Sequence, residues 1–401
     1  MKILWIKAGG VVPLDSGGKI RSYHILRELS RQHEVTLFTF YRGWSEGMHT
    51  ELRKTLKEVI CVPLNLPAAR SIRGLAHYIA HSFSSLPYSM AKYYRSEVFR
   101  AFNHAIDATS YDLWVCDFLY PAGLIPWDMQ VPKVFFAHNV EAQVWERYHR
   151  VTRNPFWRFV SWREYRALSK AERLYIVRAD RLVTVSELDR KFFSTYFDPF
   201  KITVIPAGVD TDYFRPSQGD ERPNRLACTG SFDWMPNHDA ALYLLKELLP
   251  HIRSEIPEVT ICIAGRNPSS AIKALGKRHG AEVTGWIEDI RSSIREAAVY
   301  VVPLRVGGGT RLKIFEAMAM GKAIVSTTIG AEGLPVTNGE NIVIQNDSRE
   351  FAMAVVRLLR DPATRMRLGR AARKTVEDRY TWKAAASEFD SALRKVMVKR
   401  A

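Results

Sequence analysis

This 401-residue sequence is short of cysteine and of acid, and it lacks any long apolar run. Its four cysteines, Cys61, Cys116, Cys228 and Cys262, form no C-x-x-C pair and no cluster with histidine, which argues against a zinc site and against a disulfide framework. A reducing compartment fits them best. No apolar stretch approaches the roughly 20 residues needed to span a bilayer. The opening Met-Lys leads into Ile3 to Ile6, but Gly9-Gly10 follows with no small-residue cleavage site, so the segment reads as a first strand and the chain as cytosolic. Low-complexity segments and repeats of solenoid length are missing too, which leaves an ordinary globular composition.

The shortage of acid sets 58 Lys+Arg against 42 Asp+Glu, a formal charge of +16. Such a balance draws a chain to something acidic: nucleic acid, an anionic bilayer or phosphorylated substrates. Nucleic acid is not expected as a partner, because no zinc finger or RRM-type reader motif is present and the basic residues gather with bulky aromatics in only part of the chain. That part runs from Trp145 to Arg178, with Arg147, Arg150, Arg153, Arg158, Arg163, Arg166, Lys170, Arg173 and Arg178 among Tyr148, Phe156, Trp157, Phe159, Trp162 and Tyr165. A smaller cluster holds Lys92, Tyr93, Tyr94, Arg95 and Phe99. Two readings stay open for these clusters: a surface resting on anionic headgroups at the inner membrane face, or a solvated helix whose aromatics pack inward.

The length exceeds one ordinary core and suggests two domains or three. Strands are expected at Lys2 to Ala8, Glu34 to Phe40, Val59 to Leu64, Leu113 to Asp117, Lys133 to Ala137 and Leu182 to Val185, with an amphipathic helix from Lys19 to Gln32. This βα alternation makes residues 1–205 one doubly wound α/β domain. Residues 206–224, rich in Gly, Pro, Asp and Asn, read as a linker. The alternation restarts over 225–379, with strands at Leu226 to Thr229, Val259 to Ala264, Val283 to Trp286, Val299 to Val302 and Ala323 to Thr327. Helices are expected there at Asp239 to Ile252, Ser269 to His279, Asp289 to Ala298 and Thr310 to Met320. A terminal amphipathic helix, 380–401, has two placements open to it: closing the second domain or crossing back to the first.

Ligands of open parallel sheets bind beyond the strands' carboxyl ends, and two such domains would face each other across a cleft lined by those loops. Gly9-Gly10 and Gly17-Gly18 lie on such a loop in the first domain, and Gly230, Gly265, Gly285 and Gly307 to Gly309 follow strands in the second. No well-spaced G-x-G-x-x-G supports a dinucleotide cofactor. The most informative stretch is Val306 to Thr327, VGGGTRLKIFEAMAMGKAIVST. Glycines allow close approach to a ligand, the helix that follows offers free N–H groups, and Arg311 and Lys313 add charge-assisted donors for phosphate. Glu316, among Ile314, Phe315, Ala317 and Met318, needs hydrogen-bond donors that a ribose would supply. The plainer alternative pairs Lys313 with Glu316 across the helix surface.

In chain order, SGGKIRSYHILREL, FFAHNVEAQ from Phe135, ADRLVTVSELDRK from Ala179, IPAGVDTDYFRP from Ile205, TGWIEDI from Thr284 and the GGGTRLK stretch make this chain resemble a retaining glycosyltransferase of GT-B fold. It is most similar to family 4, in the subset with a GGGTRLK-like motif, over nearly the whole length. The resemblance implies two Rossmann-like domains, an acceptor domain first and a nucleotide-sugar donor domain second. It implies that Glu316 holds the ribose hydroxyls and that Gly17 and Gly18 approach the donor. His138 would lie beside the transferring sugar. Gly308 stands where the family's first motif glutamate would be, and GSFDWMPNHDA from Gly230 lacks the family's Arg/Lys grip on the diphosphate.

The expected site is therefore His138, Arg311 and Lys313 as catalytic groups, with Gly17, Gly18, Gly230, Gly265, Gly308, Gly309, Thr310 and Glu316 binding the donor. The expected partners are a nucleotide-diphosphate sugar, a glycan or lipid-linked acceptor and an anionic membrane surface. No cofactor and no metal are expected, since Asp210-Thr211-Asp212 has the spelling of a metal motif but sits where turn formation explains it. An epimerase on the same scaffold, and a catalytically idle sugar-binding or assembly subunit suggested by Gly308, are the competing functions.

Overall fold

Buried, β-branched runs with no polar alternation are what a parallel sheet covered on both faces requires, and the first strand, β1 (Lys2–Ala8), is buried at every position but its first. The computed structural model describes residues 1–43, 46–67, 72–81, 86–152, 154–217, 219–307 and 311–398. β1 is followed by helix α1 (Gly17–Leu29) and by β2 (Glu34–Tyr41), which pairs with it in parallel register from Lys2 opposite Glu34 to Ala8 opposite Phe40. With β3 (Glu58–Pro63), β4 (Leu113–Asp117), β5 (Lys133–Phe136), β6 (Arg181–Thr184) and β7 (Ile202–Val204), they form a seven-stranded sheet of order β3-β2-β1-β4-β5-β6-β7. Between β5 and β6 stand two antiparallel-connected helices, α2 (Glu141–Val151) and the longer α3 (Pro155–Ile176).

The second sheet has six strands in the order β10-β9-β8-β11-β12-β13. These are β8 (Arg225–Thr229), β9 (Thr260–Ala264), β10 (Glu282–Gly285), β11 (Val299–Val302), β12 (Ala323–Ser326) and β13 (Val343–Ile344). Helix α4 (Met235–Tyr243) follows β8, and helix α5 (Leu312–Ala319) joins β11 to β12. Gly321 ends α5 at φ +66, a conformation its missing Cβ permits. The helices Ser348–Arg360 and Pro362–Arg379 and the short β13 complete this unit, and none of them is among the elements expected from the sequence.

The chain divides into Met1–Pro206 with Trp382–Ala401, and Ala207–Thr381. The last helix, α6 (Trp382–Val398), packs on the first unit, where Trp382 stacks on His24 at 4.8 Å and Phe389 meets Trp5 at 5.3 Å and Phe136 at 5.0 Å. The stretch 206–224 is not a free linker. Arg373 donates to the carbonyls of Thr211 and Phe214, and Arg222 pairs with Glu296 at 2.9 Å, so its polar, proline-rich composition marks turns laid on the second unit. Asp210 accepts from the amides of Asp212 and Tyr213, closing such a turn. Among the described residues, no helix is long and apolar enough to cross a membrane.

Candidate active site

In the second unit three strand ends are laced together by glycine. Gly265 follows β9 at φ +142, and its amide donates to the Gly285 carbonyl at 3.0 Å. A Cβ on Gly265 would fall inside the contact radius of the Gly230 carbonyl oxygen, so β8 and β9 can emerge this closely only without one. Gly230 in turn donates to Ala264, and a Cβ there would stand 2.8 Å from the Asn237 amide and 3.1 Å from Lys313 Nζ. Both expected glycines thus shape the carboxyl edge of this sheet by close backbone approach.

Lys313 reaches that edge from the first turn of α5. Its Nζ donates at 2.7 Å to the Thr229 carbonyl, the last of β8, and at 2.7 Å to Asn237 Oδ1 on α4, while Asn237 Nδ2 donates to the Ser231 carbonyl. Among the described residues two of its three ammonium protons are therefore held, which leaves one to offer a ligand. Burial lowers the Lys313 pKa to about 8, with Arg311 adding to the fall and Cys228 and Glu316 opposing it. No ion pair joins Lys313 to Glu316, so the surface-pair alternative does not hold: the lysine turns inward, because two fixed acceptors in a half-buried site outweigh an exposed pair.

Glu316, one turn further along α5, is half-buried, and its carboxylate accepts no hydrogen bond among the described residues. Burial raises its pKa to about 7, and Lys313 offsets part of the rise. A carboxylate held in this way gains from any donor that reaches it. Arg311 caps the start of α5 and is buried, with Nη2 3.5 Å from the Ile329 carbonyl and packed under Gly307, whose φ is +140. Its guanidinium thus lies between Gly307 and the turn after β12, turned away from solvent. Gly308, Gly309 and Thr310 lie outside the described residues. Arg266, next to Gly265, was not among the expected residues; its Nε donates to Ser231 Oγ at 2.5 Å, which puts a further cation at this edge. Its signal was simply a basic residue directly after a strand-end glycine.

The first unit carries a second cluster at the ends of β4 and β5. Asp117, fully buried at the end of β4, accepts from His138 Nε2 at 2.7 Å, Trp5 Nε1 at 2.7 Å and Ser22 Oγ at 2.6 Å, and pairs with Lys7 at 3.2 Å. Burial alone would raise its pKa, but Lys7 and His138 hold it far below the carboxylate range. Arg21, also buried, stands 3.2 Å from His138 Nδ1 and donates to it, so the ring is neutral with its proton on Nε2. Burial lowers the His138 pKa to about 3 against the pull of Asp117. Phe118 and Phe136 flank the ring at 4.4 and 4.2 Å.

Gly17 and Gly18 are not loop residues; they open α1, and neither has positive φ. Gly18 is nonetheless a point of close approach, for its Cβ would lie 3.0 Å from Phe118 and 3.7 Å from His138 Nδ1. Asp117, Arg21 and Lys7 were missed by sequence reasoning, since an Asp closing an apolar strand and a Lys inside another were the only signs. Nearby, an open hollow of about 360 Å³ lies at the ends of β1 and β2, lined by Gly9, Lys19, Tyr41, Arg42 and Tyr93 among others.

Residues 16–213 match the model described as Glycosyltransferase Family 4, and residues 223–361 match Glycosyl transferases group 1. Similar curated proteins include an MMP alpha-(1->4)-mannosyltransferase of Mycolicibacterium hassiacum, 25% identical over 68% of this chain and 67% of that one. Another is a phosphatidyl-myo-inositol mannosyltransferase of Mycobacterium leprae, 29% identical over 46% of this chain and 51% of that one. Across the first relatives matched, the chain spans from 34% to 67% of their lengths. Among solved structures, sucrose-phosphate synthase from Thermosynechococcus elongatus superposes with a TM-score of 0.75 at 17% identity, covering 99% of both chains. Anabaena HepE in complex with UDP and glucose gives 0.68 at 16% identity, covering 98% of this chain and 99% of that one. These likenesses are of fold, and the fold is GT-B, two Rossmann-like α/β units in tandem.

Proposed function

We propose that this chain, a member of the GT-B glycosyltransferases, moves a sugar from a nucleoside-diphosphate donor to a hydroxyl of a glycan or lipid-linked acceptor, with retention and without a metal. The observation that carries this reading is α5, where Lys313 and a Glu316 whose carboxylate accepts no hydrogen bond among the described residues stand one turn apart behind the glycine-laced ends of β8, β9 and β10. In it, Glu316 accepts from the ribose hydroxyls and Lys313 meets the diphosphate at the amino end of α5, with Arg311 buried beside it. The complexes of HepE with UDP and with glucose lend support by fold.

The chemistry asked of these groups is stabilisation of a leaving group. As the bond from the sugar's anomeric carbon to the β-phosphate oxygen breaks, negative charge grows on that oxygen and the sugar becomes oxocarbenium-like. A preorganised ammonium and amide dipoles lower that barrier, on the order of 10²–10³ in rate for one such donor. The acceptor oxygen bonds to the anomeric carbon on the same face, and its proton passes to the departing phosphate. His138, neutral and fixed by Asp117 and Arg21, is the sugar-side group of the reading, with Gly18 packed close beside it. The acceptor takes the first unit, and the reading includes its presentation at an anionic membrane surface on the cytoplasmic side.

The test is a panel of UDP-, GDP- and ADP-sugars screened by thermal shift, followed by product analysis with EDTA present. One donor class raising the melting temperature and an α-linked product from an α-linked donor are expected. No shift with any donor, an inverted product, or strict dependence on Mn²⁺ would sink the proposal.

A further inference from the structure

Helix α3 is built to be anchored at one end and bare at the other. Its start is well made: Asn154 caps it, accepting from the amides of Phe156 and Trp157 at 3.0 and 3.2 Å, Pro155 takes the first position, and His149 of α2 donates to the Arg158 carbonyl at 2.9 Å. Yet four large aromatics in these first two turns face solvent: Phe156, Trp157, Phe159 and Trp162 are 46%, 47%, 59% and 42% exposed. Trp157 has the helical azimuth of the buried Val160, Glu164 and Leu168 and is exposed all the same, so this end of the helix runs past the body it packs on.

The charges are sorted as sharply as the rings. Both carboxylates of α3, Glu164 and Glu172, are buried and spent on backbone amides: Glu164 accepts from Tyr88 and Ser89, and Glu172 from Glu141 and Ala142. Its exposed polar face carries Arg158, Arg166, Lys170 and Arg173. Arg158, Arg166 and Lys170 make no ion pair among the described residues, and Arg166 lies 5.4 Å over the Trp162 ring. Phe159, Trp162, Arg166, Lys170 and Arg173 recur at spacings of three and four, one stripe opposite the buried face. Arg153 and the side chain of Val151 lie outside the described residues. Of the two readings open for this basic, aromatic segment, inward packing does not hold for these four rings.

We propose that the first two turns of α3, residues 155–162, dock this chain on an anionic lipid surface, seating Phe156, Trp157, Phe159 and Trp162 among the headgroups while Arg158, Arg166 and Lys170 meet lipid phosphates. The inference deepens the reading of a membrane-presented acceptor and rests on it. Trp and Phe at a polar–apolar boundary gain from burial while keeping their polar edge wet, and cations without acidic neighbours pay no competing intramolecular pair on approach to negative lipid. A protein partner would need shape complementarity and polar partners for the rim, whereas a stripe of rings flanked by unpaired cations is satisfied by any anionic, headgroup-lined boundary.

The experiment is flotation of the full chain with phosphatidylcholine vesicles, with and without phosphatidylglycerol, at low and high salt. Phe159→Ser/Trp162→Ser and Arg158→Glu/Arg166→Glu are run beside the parent. Binding is expected only with phosphatidylglycerol, to fall with salt, and to drop by on the order of tenfold or more in each double variant. These side chains are exposed, so melting temperature and lipid-free donor turnover are expected to stay at the parent values. Equal binding to neutral vesicles, undiminished binding by the serine variant, or lipid-free self-association that the serine variant abolishes would overturn the docking element. Vesicle binding is read without donor and donor turnover without lipid, so a failed donor panel and a failed docking surface give separate results.

Discussion

His138 Nε2 donates to Asp117 Oδ1 over 2.7 Å while Arg21 donates to the other ring nitrogen, so a buried carboxylate and a buried guanidinium together fix one tautomer of a neutral imidazole. Asp117→Asn removes the one carboxylate that Lys7 contacts among the described residues and leaves that buried ammonium uncompensated. A loss of about 3–5 kcal/mol is expected by chemical denaturation. Adding Lys7→Met to it should recover part of that loss, and full stability of Asp117→Asn alone would contradict the assignment.

The same histidine gives a pH signature. Its folded pKa, about 3, lies below the ordinary 6.5, so between these values the unfolded chain binds the extra proton. The contribution is complete above pH 6.5 and is lost as pH falls through about 3. Unfolding free energy measured at intervals over that window should decline toward acid, and His138→Gln should flatten the decline.

Glu316 works the other way. Its pKa is raised from 4.5 to about 7, so its contribution is intact below 4.5 and disappears as pH rises through about 7. Glu316→Gln is expected to melt higher than the parent at pH 8 and alike at acid pH. The same variant should bind nucleotide more weakly by roughly ten- to a hundredfold, the worth of about 1.5–3 kcal/mol for a charged hydrogen bond. Stability and affinity moving in opposite directions is the result a merely structural glutamate would not give.

Lys313 should set the alkaline limb of kcat/KM, since its charge is lost near pH 8 in the free protein. Lys313→Arg is expected to move that limb upward, out of the measured range. Lys313→Met should cost on the order of 10²–10³ in turnover if the ammonium faces the departing phosphate. An unchanged pH profile in the arginine variant would remove Lys313 from that role.

Gly265→Ala is expected to destabilise by at least ~2 kcal/mol, because the new Cβ meets the Gly230 carbonyl and φ is +142. Gly280→Ala, also at positive φ but with open space around it, serves as the control that isolates strain from collision. Equal losses in the two would mean that backbone approach between β8 and β9 is not the reason for glycine.

Strands were legible because the interior of a parallel sheet asks only for apolar, β-branched runs, a local property: Lys2–Ala8, Leu113–Asp117 and Val299–Val302 stand at their expected bounds. Helix α4 begins at Met235 and not at Asp239, since Pro236 is tolerated in a first turn. The site was legible as residue types and not as partners. Lys313 could be read as a cation opening a helix, but its acceptors, Thr229 and Asn237, lie 84 and 76 positions away. Asp117 was visible only as the end of a strand, for its partners come from β1, α1 and the segment after β5, and nothing local announces that Lys7, Ser22 and His138 meet there.

Helix α6 brings Phe389 against Trp5 and Trp382 against His24, pairs more than 350 positions apart in a chain of 401. On the ribosome, the opening lobe must therefore wait, its hydrophobic flank uncovered, until the intervening lobe has emerged. Completion of the first unit is coupled to the arrival of α6, and a stop codon ahead of Trp382 would damage the lobe translated before it.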